Sequence, residues 1–464
     1  MRRAAMPSGA EVFGVQPAPV FRGDALTEVG AAERFAREHA DKLRHDFRRV
    51  RWVRWTGQHW TPDTDAAITR LAIAAVRRWQ HAALDVADVR LKQAVLSWAT
   101  GFDRGAKLTA MLAIARCLKP VADDGAQWDV NPWLLGTPTN VVELRTGEAR
   151  AGRPDDRITM QTAVGFDPEA RCPRWERFIR EVFPDPDLAD YVWRSLGYSL
   201  TGDMREQCFW VNHGRGRNGK STLIDTVADV LGDYAHPTPF SAFEVQQGNA
   251  VPADVAALDG KRFVPASETN GRWLHAPRLK DITGGERITV RHLYGHPFTY
   301  RPTCKIWLSV NELPRVADDS DGLWRRLKQV PFTQRFEGAA DDRNLKDTLR
   351  AEAPGILAWL VRGCLEWQVR GLDAPAAVDD VTASYRRDCD HLGQFLEEGC
   401  DLDPDAEVGA TDLHQHYLAW AGRAGLTERE RLSATAFGRK CVERFKRVPT
   451  KHGNVYLGLA RRIG

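Results

Sequence analysis

Apolar positions along the chain follow three rhythms. From Thr27 the spacing of Ala31, Phe35 and Ala36 is helical. From Asp65 to about Leu118 apolar residues again recur three or four apart, as at Ile68, Leu71, Ala72, Ala75 and Val76. Between these runs Val50-Arg51-Trp52-Val53-Arg54-Trp55 and Gln58-His59-Trp60 predict two strands turning at Thr56-Gly57. Leu134 to Arg150 reads as strand and turn, punctuated by Arg145-Thr146-Gly147. Helical spacing resumes near Pro173 and runs through Trp193 towards Tyr198. An α/β block follows over about 205–335, then a helical stretch from Leu345 to Val369 and a Pro/Ala/Asp linker around Leu372-Asp373-Ala374-Pro375. The remainder, about 380–464, is a small helical region ending in a hairpin. Residues 1 to about 22 are Ala/Pro/Gly-rich without periodicity, as expected of a loose leader.

Composition narrows the class. With 464 residues there is room for about three domains, and 43% hydrophobic and 27% charged residues are ordinary for a soluble protein. No run of apolar residues is long enough to span a bilayer, and no apolar stretch follows Arg2-Arg3, so neither a membrane anchor nor a secretory signal is expected. That implies a cytoplasmic protein. The eight cysteines form no Cys-x-x-Cys pair and lack zinc-finger spacing to histidines, which predicts reduced, mostly buried thiols. A net charge of +3 says little, but its distribution says more. Ser433 to Gly464 carries eight Lys/Arg against the single acid Glu443, whereas Asp373 to Asp412 is acidic.

The sharpest chemical signal is Gly214-Arg215-Gly216-Arg217-Asn218-Gly219-Lys220-Ser221, a complete phosphate-binding loop pattern. Cys208-Phe209-Trp210-Val211 before it is a candidate buried strand. Leu223, Ile224, Val227, Ala228 and Leu231 after it follow helical spacing up to Gly232. Glycines let successive backbone N–H groups turn inward around phosphate oxygens, and the helix adds its positive N-terminus. Lys220 is expected to reach the β- and γ-phosphates of ATP, with the Ser221 hydroxyl on Mg²⁺. Two later strands can complete an ATPase site. Arg262 to Glu268 ends in Glu268, placed to hold the Mg²⁺ shell and take a proton from the attacking water. Lys305 to Asn311 ends in Asn311, whose amide can bridge a water and the γ-phosphate without titrating. In Trp324-Arg325-Arg326 either arginine can act in trans on a neighbouring subunit's nucleotide, a role that requires an oligomer.

These pieces together resemble the superfamily 3 helicases of phages and plasmids, the group that includes the poxvirus primase-helicase. The resemblance extends from about Thr27 to the C-terminus. Its most specific run is Leu196-Gly197-Tyr198-Ser199-Leu200-Thr201-Gly202, followed by Gly214 to Thr222 and by Leu231-Gly232-Asp233-Tyr234. Ser267-Glu268-Thr269, Lys280 to Glu286, Asn311-Glu312-Leu313-Pro314 and Trp324-Arg325-Arg326 match further motifs. The family's Asn-Gly-Val-x-Asp-Leu run is here Asn140-Val141-Val142-Glu143-Leu144, without that Gly and Asp. The resemblance implies an α/β fold with an AAA+-like P-loop ATPase core, acting as a ring that is typically a hexamer. The expected organisation is a leader (1–26), a helical and mixed N-terminal domain (27–172), the ATPase core (173–340), a helical extension and linker (341–375), and a winged-helix-like domain (376–464).

Between the second and third motifs, Ile288 to Tyr300 alternates β-formers around Gly-His-Pro and predicts a hairpin. The family places such a hairpin in the central channel, so Arg291 and His292 are expected on phosphates and Tyr294 on a base or sugar. In the C-terminal region Thr411 to Gly422 is one predicted helix and Ser433 caps a second that carries Arg439, Lys440 and Arg444, with Lys446 beside it. Val448 to Leu459, turning at His452-Gly453-Asn454, would be the wing. The expected activity is that of a ring-forming, ATP-dependent DNA helicase of a phage, plasmid or related element in a bacterial host, moving on single-stranded DNA. Duplex binding fits the C-terminal module, and a separate primase or polymerase chain is a candidate partner. The alternative is an origin-binding or loading factor in which nucleotide only switches assembly. No primer synthesis is expected, because chains that make primers carry a polymerising domain ahead of the helical one and only about 26 residues precede it here.

Overall fold

The Thr27 hydroxyl accepts from the Gly30 amide at 3.1 Å and starts the first helix, a cap contributing about 1 kcal/mol. The computed structural model describes residues 21, 23, 25–245, 253–267, 273–291, 297–316, 320–338, 342, 344–428, 430–451 and 453–462. It divides into two compact units: the chain up to Val130 with Arg150–Met160, and Asn131–Ala149 with Gln161 onward. The predicted N-terminal domain of 27–172 is therefore shared between them.

In the first unit, helix α1 (Glu28–Glu38) leads into β1 (Leu43–Asp46), β2 (Arg51–Trp55) and β3 (Trp60–Pro62). The turn between β2 and β3 uses Gly57 at φ 102°, as expected of a glycine there. Three helices follow, α2 (Ala67–Leu84), α3 (Val89–Thr100) and α4 (Gly105–Ala115). Strand β4 (Ala122–Asp123) then joins β1 in parallel, giving the sheet order β3-β2-β1-β4. The apolar stripe Ile68, Ala72, Ala75, Val76 and Trp79 is buried with Phe35 and Ala31, as its spacing demands, and Trp79 stacks on Trp98 at 5.4 Å. Strand β1 escapes pattern reading because Leu43 is its one aliphatic residue. Its Asp46 is fully buried and accepts from the Arg49 amide at 3.1 Å, which holds the β1–β2 connection.

The second unit begins with a small sheet of β5 (Leu134–Gly136), β6 (Val141–Glu143) and β7 (Glu148–Arg150). Helices α5 (Pro173–Val182) and α6 (Pro186–Tyr198) precede β8 (Phe209–His213) and α7 (Lys220–Leu231). Next come α8 (Ala253–Ala256), β9 (Phe263–Ser267), α9 (Ala276–Gly284), the hairpin β10 (Ile288–Arg291) and β11 (Pro297–Tyr300), and β12 (Lys305–Val310). The core closes with α10 (Asp321–Trp324), β13 (Leu327–Pro331), α11 (Leu345–Ala351), α12 (Ala353–Arg370) and α13 (Ala376–Cys389).

Four of these strands form one parallel sheet in the order β13-β8-β12-β9. Buried parallel strands read as continuous apolar runs, which is why 209–211 and 306–308 were legible. Trp210 and Trp307 stack across β8 and β12 at 4.5 Å, and Tyr191 of α6 accepts from the Trp210 indole at 3.1 Å. Helices α6 and α12 approach so closely that a Cβ on Gly197 would lie 2.2 Å from the Cys364 amide nitrogen. At the N-terminal ends of the strands two buried cations hold the Leu196–Gly202 segment. Lys305 donates to Thr201 O at 2.6 Å and lies 4.5 Å from the Tyr198 ring, while Arg262 donates to Leu200 O and Leu134 O, both at 2.7 Å.

Helix α13 packs on the core rather than on the C-terminal module. Thr382 Oγ1 accepts from the Gln329 amide of β13 at 3.1 Å, and Tyr385 is buried edge-on against Trp324. The C-terminal module thus starts at about Asp390 instead of residue 376. It comprises α14 (His391–Gly399), β14 (Cys400–Asp401), β15 (Glu407–Gly409), α15 (Ala410–Arg423), α16 (Ala434–Arg444), β16 (Arg447–Thr450), β17 (Gly453–Leu457) and β18 (Ala460–Arg461). An antiparallel sheet, β15-β17-β16, backs a core of Phe395, Leu413, Tyr417, Phe437 and Tyr456. Helix α14 and strand β15 were not foreseen.

Candidate nucleotide-binding site

The carboxyl ends of the parallel strands meet at one level. His213 is in register with both Val310 and Pro331, and Ser309 with Ser267. This edge is where ligands collect in open α/β sheets. From His213 the chain passes through Gly214 to Gly219 into α7. A Cβ at Gly214 would sit 2.2 Å from Phe332 O, so only glycine fits against β13's extension. Arg217 and Gly219 take left-handed φ values of 62° and 86°, folding the loop back on itself. Asn218 is buried; its Nδ2 donates to Phe332 O and its Oδ1 accepts from the Lys220 amide, both at 3.4 Å.

Lys220 opens α7 with only 6% of its surface exposed. Its Nζ donates to Gly214 O and, at 3.3 Å, to Asn311 Oδ1. Burial pushes its pKa below the ordinary lysine value. Both partners are neutral, and among the described residues no carboxylate pairs with it. A buried ammonium with uncompensated charge, at the N-terminus of a twelve-residue helix, suits a polyanion such as a triphosphate. His213, whose pKa burial and the Lys220 charge both lower, adds no competing positive charge at neutral pH.

Beside the loop lies a cavity of about 310 Å³ lined by Phe178, Arg217, Gly219, Thr222, Phe336 and Lys346, among others. Arg217 meets Glu337 only at 3.6 Å with both side chains exposed, a contact worth little. Arg215 and Ser221 are exposed at the mouth of the loop.

The structure separates the paired arginines. Arg326 is buried and donates to Gly322 O at 2.6 Å and to Gln207 Oε1 at 3.3 Å, bracing α10 within its own subunit. The Arg325 side chain is exposed, and among the described residues its guanidinium has no hydrogen-bond or ion-pair partner. Glu268 follows the last described residue of β9 and lies outside the described residues, as do His292 and Tyr294. Arg291 is exposed at the end of β10, opposite Pro297. The root of that hairpin is firm, because Val290 and Tyr300 are buried and Tyr300 donates to Val255 O at 2.6 Å. On α16, Arg439 is exposed and Lys440 half-buried. Arg444 is partly engaged, donating to Asp390 Oδ2 at 2.7 Å. Reading the sequence missed Lys305 and Arg262 as structural cations. The available signal was a charge at the head of each of two otherwise apolar strands.

The fold and this edge define a mixed α/β protein built on a parallel sheet with a phosphate-suited loop. Residues 32–184 match the family described as D5 N terminal like, and residues 212–326 match a family of unknown function, DUF5906. A putative helicase of Acanthamoeba polyphaga mimivirus is 29% identical over 63% of this chain and 33% of its own length. A putative helicase of Frog virus 3 is 26% identical over 52% and 27%, and a putative primase of African swine fever virus 24% identical over 63% and 33%. The chain spans about a third of the length of the curated relatives it matches. A solved structure, the C-terminal region of NrS-1, superposes with a TM-score of 0.48 at 11% identity, covering 92% of this chain and 98% of that one. The D5 N terminal like match and the relatives named helicase or primase support a primase-helicase-like family, as the motifs implied. These relatives are viral, and they do not support the bacterial host that was expected for a phage, plasmid or related element. No helix among the described residues is long and apolar enough to cross a membrane.

Proposed function

We propose that this chain is an ATP-dependent DNA helicase module acting in replication, with an AAA+-like P-loop core assembled into a ring, typically a hexamer. The observation that carries this reading is Lys220, buried at the head of α7 with no anionic partner among the described residues and 3.3 Å from the Asn311 amide. In this reading Gly214 to Thr222 cradle the phosphates, and the neighbouring cavity accepts the base and ribose. Ser221 and Glu268 would hold Mg²⁺, which neutralises phosphate charge when bound. Glu268 orients and deprotonates water, and Asn311 reads the γ-phosphate. Of the two arginines, Arg325 serves the adjacent subunit, since Arg326 is committed to its own. Arg291, His292 and Tyr294 touch single-stranded DNA in the channel, while α16 and the β16–β17 wing form a winged helix that holds duplex through Arg439, Lys440 and Arg444.

The test measures ATP turnover with and without single-stranded DNA, strand displacement, and assembly mass, in the wild type and Lys220→Ala. We expect DNA-stimulated turnover and displacement in the wild type and a loss of about a hundredfold or more in the variant. Displacement surviving in Lys220→Ala would sink the motor reading. ATP-driven assembly without stimulated turnover would favour a loading factor instead.

A further inference from the structure

The loop that follows Asn311 does not end at the nucleotide. Asn311 lies beside Lys220 at one end, and over the next few residues the same segment is gripped by the C-terminal part of the molecule. Pro314 O accepts from the Tyr385 hydroxyl of α13. Arg315 O accepts from the Leu274 amide at 2.9 Å, and the Arg315 guanidinium pairs with Glu430 at 3.0 Å. Glu430 stands in the connection between α15 and α16, where its other oxygen accepts from the Thr427 amide at 2.7 Å. Its side chain is only 12% exposed, so the pair is partly shielded from solvent screening.

A second strap joins the same parts. Asp390, between α13 and α14, accepts from the Gly393 amide at 3.0 Å and from Arg444 at 2.7 Å, in the last turn of α16. Arg386 of α13 pairs with Asp321 of α10 at 2.6 Å, the helix that leads into Arg325. Helix α13 therefore touches the loop after Asn311 through Tyr385 and α10 through Arg386, and Asp390, which follows it, holds Arg444 of the basic helix. Neither the Arg315–Glu430 pair nor the Arg386–Asp321 pair involves a residue of the Gly214–Thr222 loop or of the core around Phe395 and Tyr417.

We propose that Arg315 and Glu430 are positioning residues that link the nucleotide-facing Asn311 loop to the C-terminal module, so that nucleotide and duplex DNA change each other's affinity. The inference rests on the functional reading above. Linkage makes the coupling reciprocal: whatever factor nucleotide imposes on duplex affinity, duplex imposes on nucleotide affinity. A duplex phosphate that draws Arg444 from Asp390 would loosen the start of α14, and a displaced Asn311 would shift Arg315 against Glu430.

The experiment uses the full chain, a fluorescein-labelled duplex of mixed sequence, and a non-hydrolysable ATP analogue with Mg²⁺. Duplex affinity is measured with and without the analogue, and analogue affinity separately. In the wild type we expect the analogue to change duplex affinity by about fivefold or more. Arg315→Ala and Glu430→Gln should bring that ratio towards one while leaving analogue affinity in the absence of DNA unchanged, and the exchanged pair R315E/E430R should restore it. Hydrogen exchange supplies a readout free of DNA: the analogue should alter protection of 426–432 in the wild type and not in Arg315→Ala. Single variants that keep the wild-type ratio and exchange response overturn the coupling alone. A chain that binds no nucleotide overturns the functional reading and the coupling with it.

Discussion

Lys220 and Lys305 are both buried lysines, yet they do opposite jobs. Lys220 faces a loop of inward-turned backbone and the Asn311 amide, where a triphosphate would supply the missing charge. Lys305 lies at the far end of β12, with 1% of its surface exposed, and its donors are spent on Thr201 O and Thr303 O. Burial, with Arg262 adding to it, pushes Lys305 from 10.5 down to about 7. Below pH 7 the proton is on in both folded and unfolded chains. Between about 7 and 10.5 only the unfolded chain keeps it, so this residue makes stability rise with pH across that window. Urea unfolding of the wild type and Lys305→Met should show it: the gap between their stabilities should shift in favour of the wild type from pH 6.5 to pH 9. Parallel pH profiles would refute the assignment.

At the scale of elements, close approach decides what pattern cannot. Helices α6 and α12 pack through Gly197 and Gly363, and a Cβ on Gly197 would meet the Cys364 nitrogen at 2.2 Å with a main chain that cannot move aside cheaply. Gly197→Ala should therefore destabilise the second unit by about 1–3 kcal/mol despite alanine's better helix propensity, read as a lower urea midpoint at unchanged slope. An unchanged or raised midpoint would mean the helices can separate at no cost. The loop glycines make the same point on a smaller scale, since Gly214 abuts Phe332 O.

For the whole molecule, the exposed Arg325 and the internally braced Arg326 predict complementation between subunits. Arg325→Ala should bind nucleotide normally but turn it over at least about a thousandfold more slowly, as loss of an arginine finger does. Mixing it with Lys220→Ala, which keeps Arg325, should recover part of the turnover, because one class of mixed interface is then complete. No recovery on mixing would place each site within a single subunit. Arg326→Ala should instead lower stability, because Gly322 O and Gln207 lose their donor.

Much of this protein was determined by local sequence alone. The helix start at Thr27, the turn at Gly57 and the cap at Ser433 follow from short-range physics and are found where they were expected, while the helical spacing of 65 to about 118 resolves into three helices. The turn into α7 was legible for the same reason: a left-handed turn followed by a helix is written in closely spaced glycines and their neighbours. The features that lay beyond reach depend on partners distant in sequence. Strand β1 exists because β2 and β4 pair with it, α13 belongs to the core because Trp324 and Gln329 receive it, and Arg326 differs from Arg325 only through Gln207 and Gly322. Adjacent arginines are chemically identical in a chain. Only the fold, by burying one and leaving the other in solvent, gives them different work.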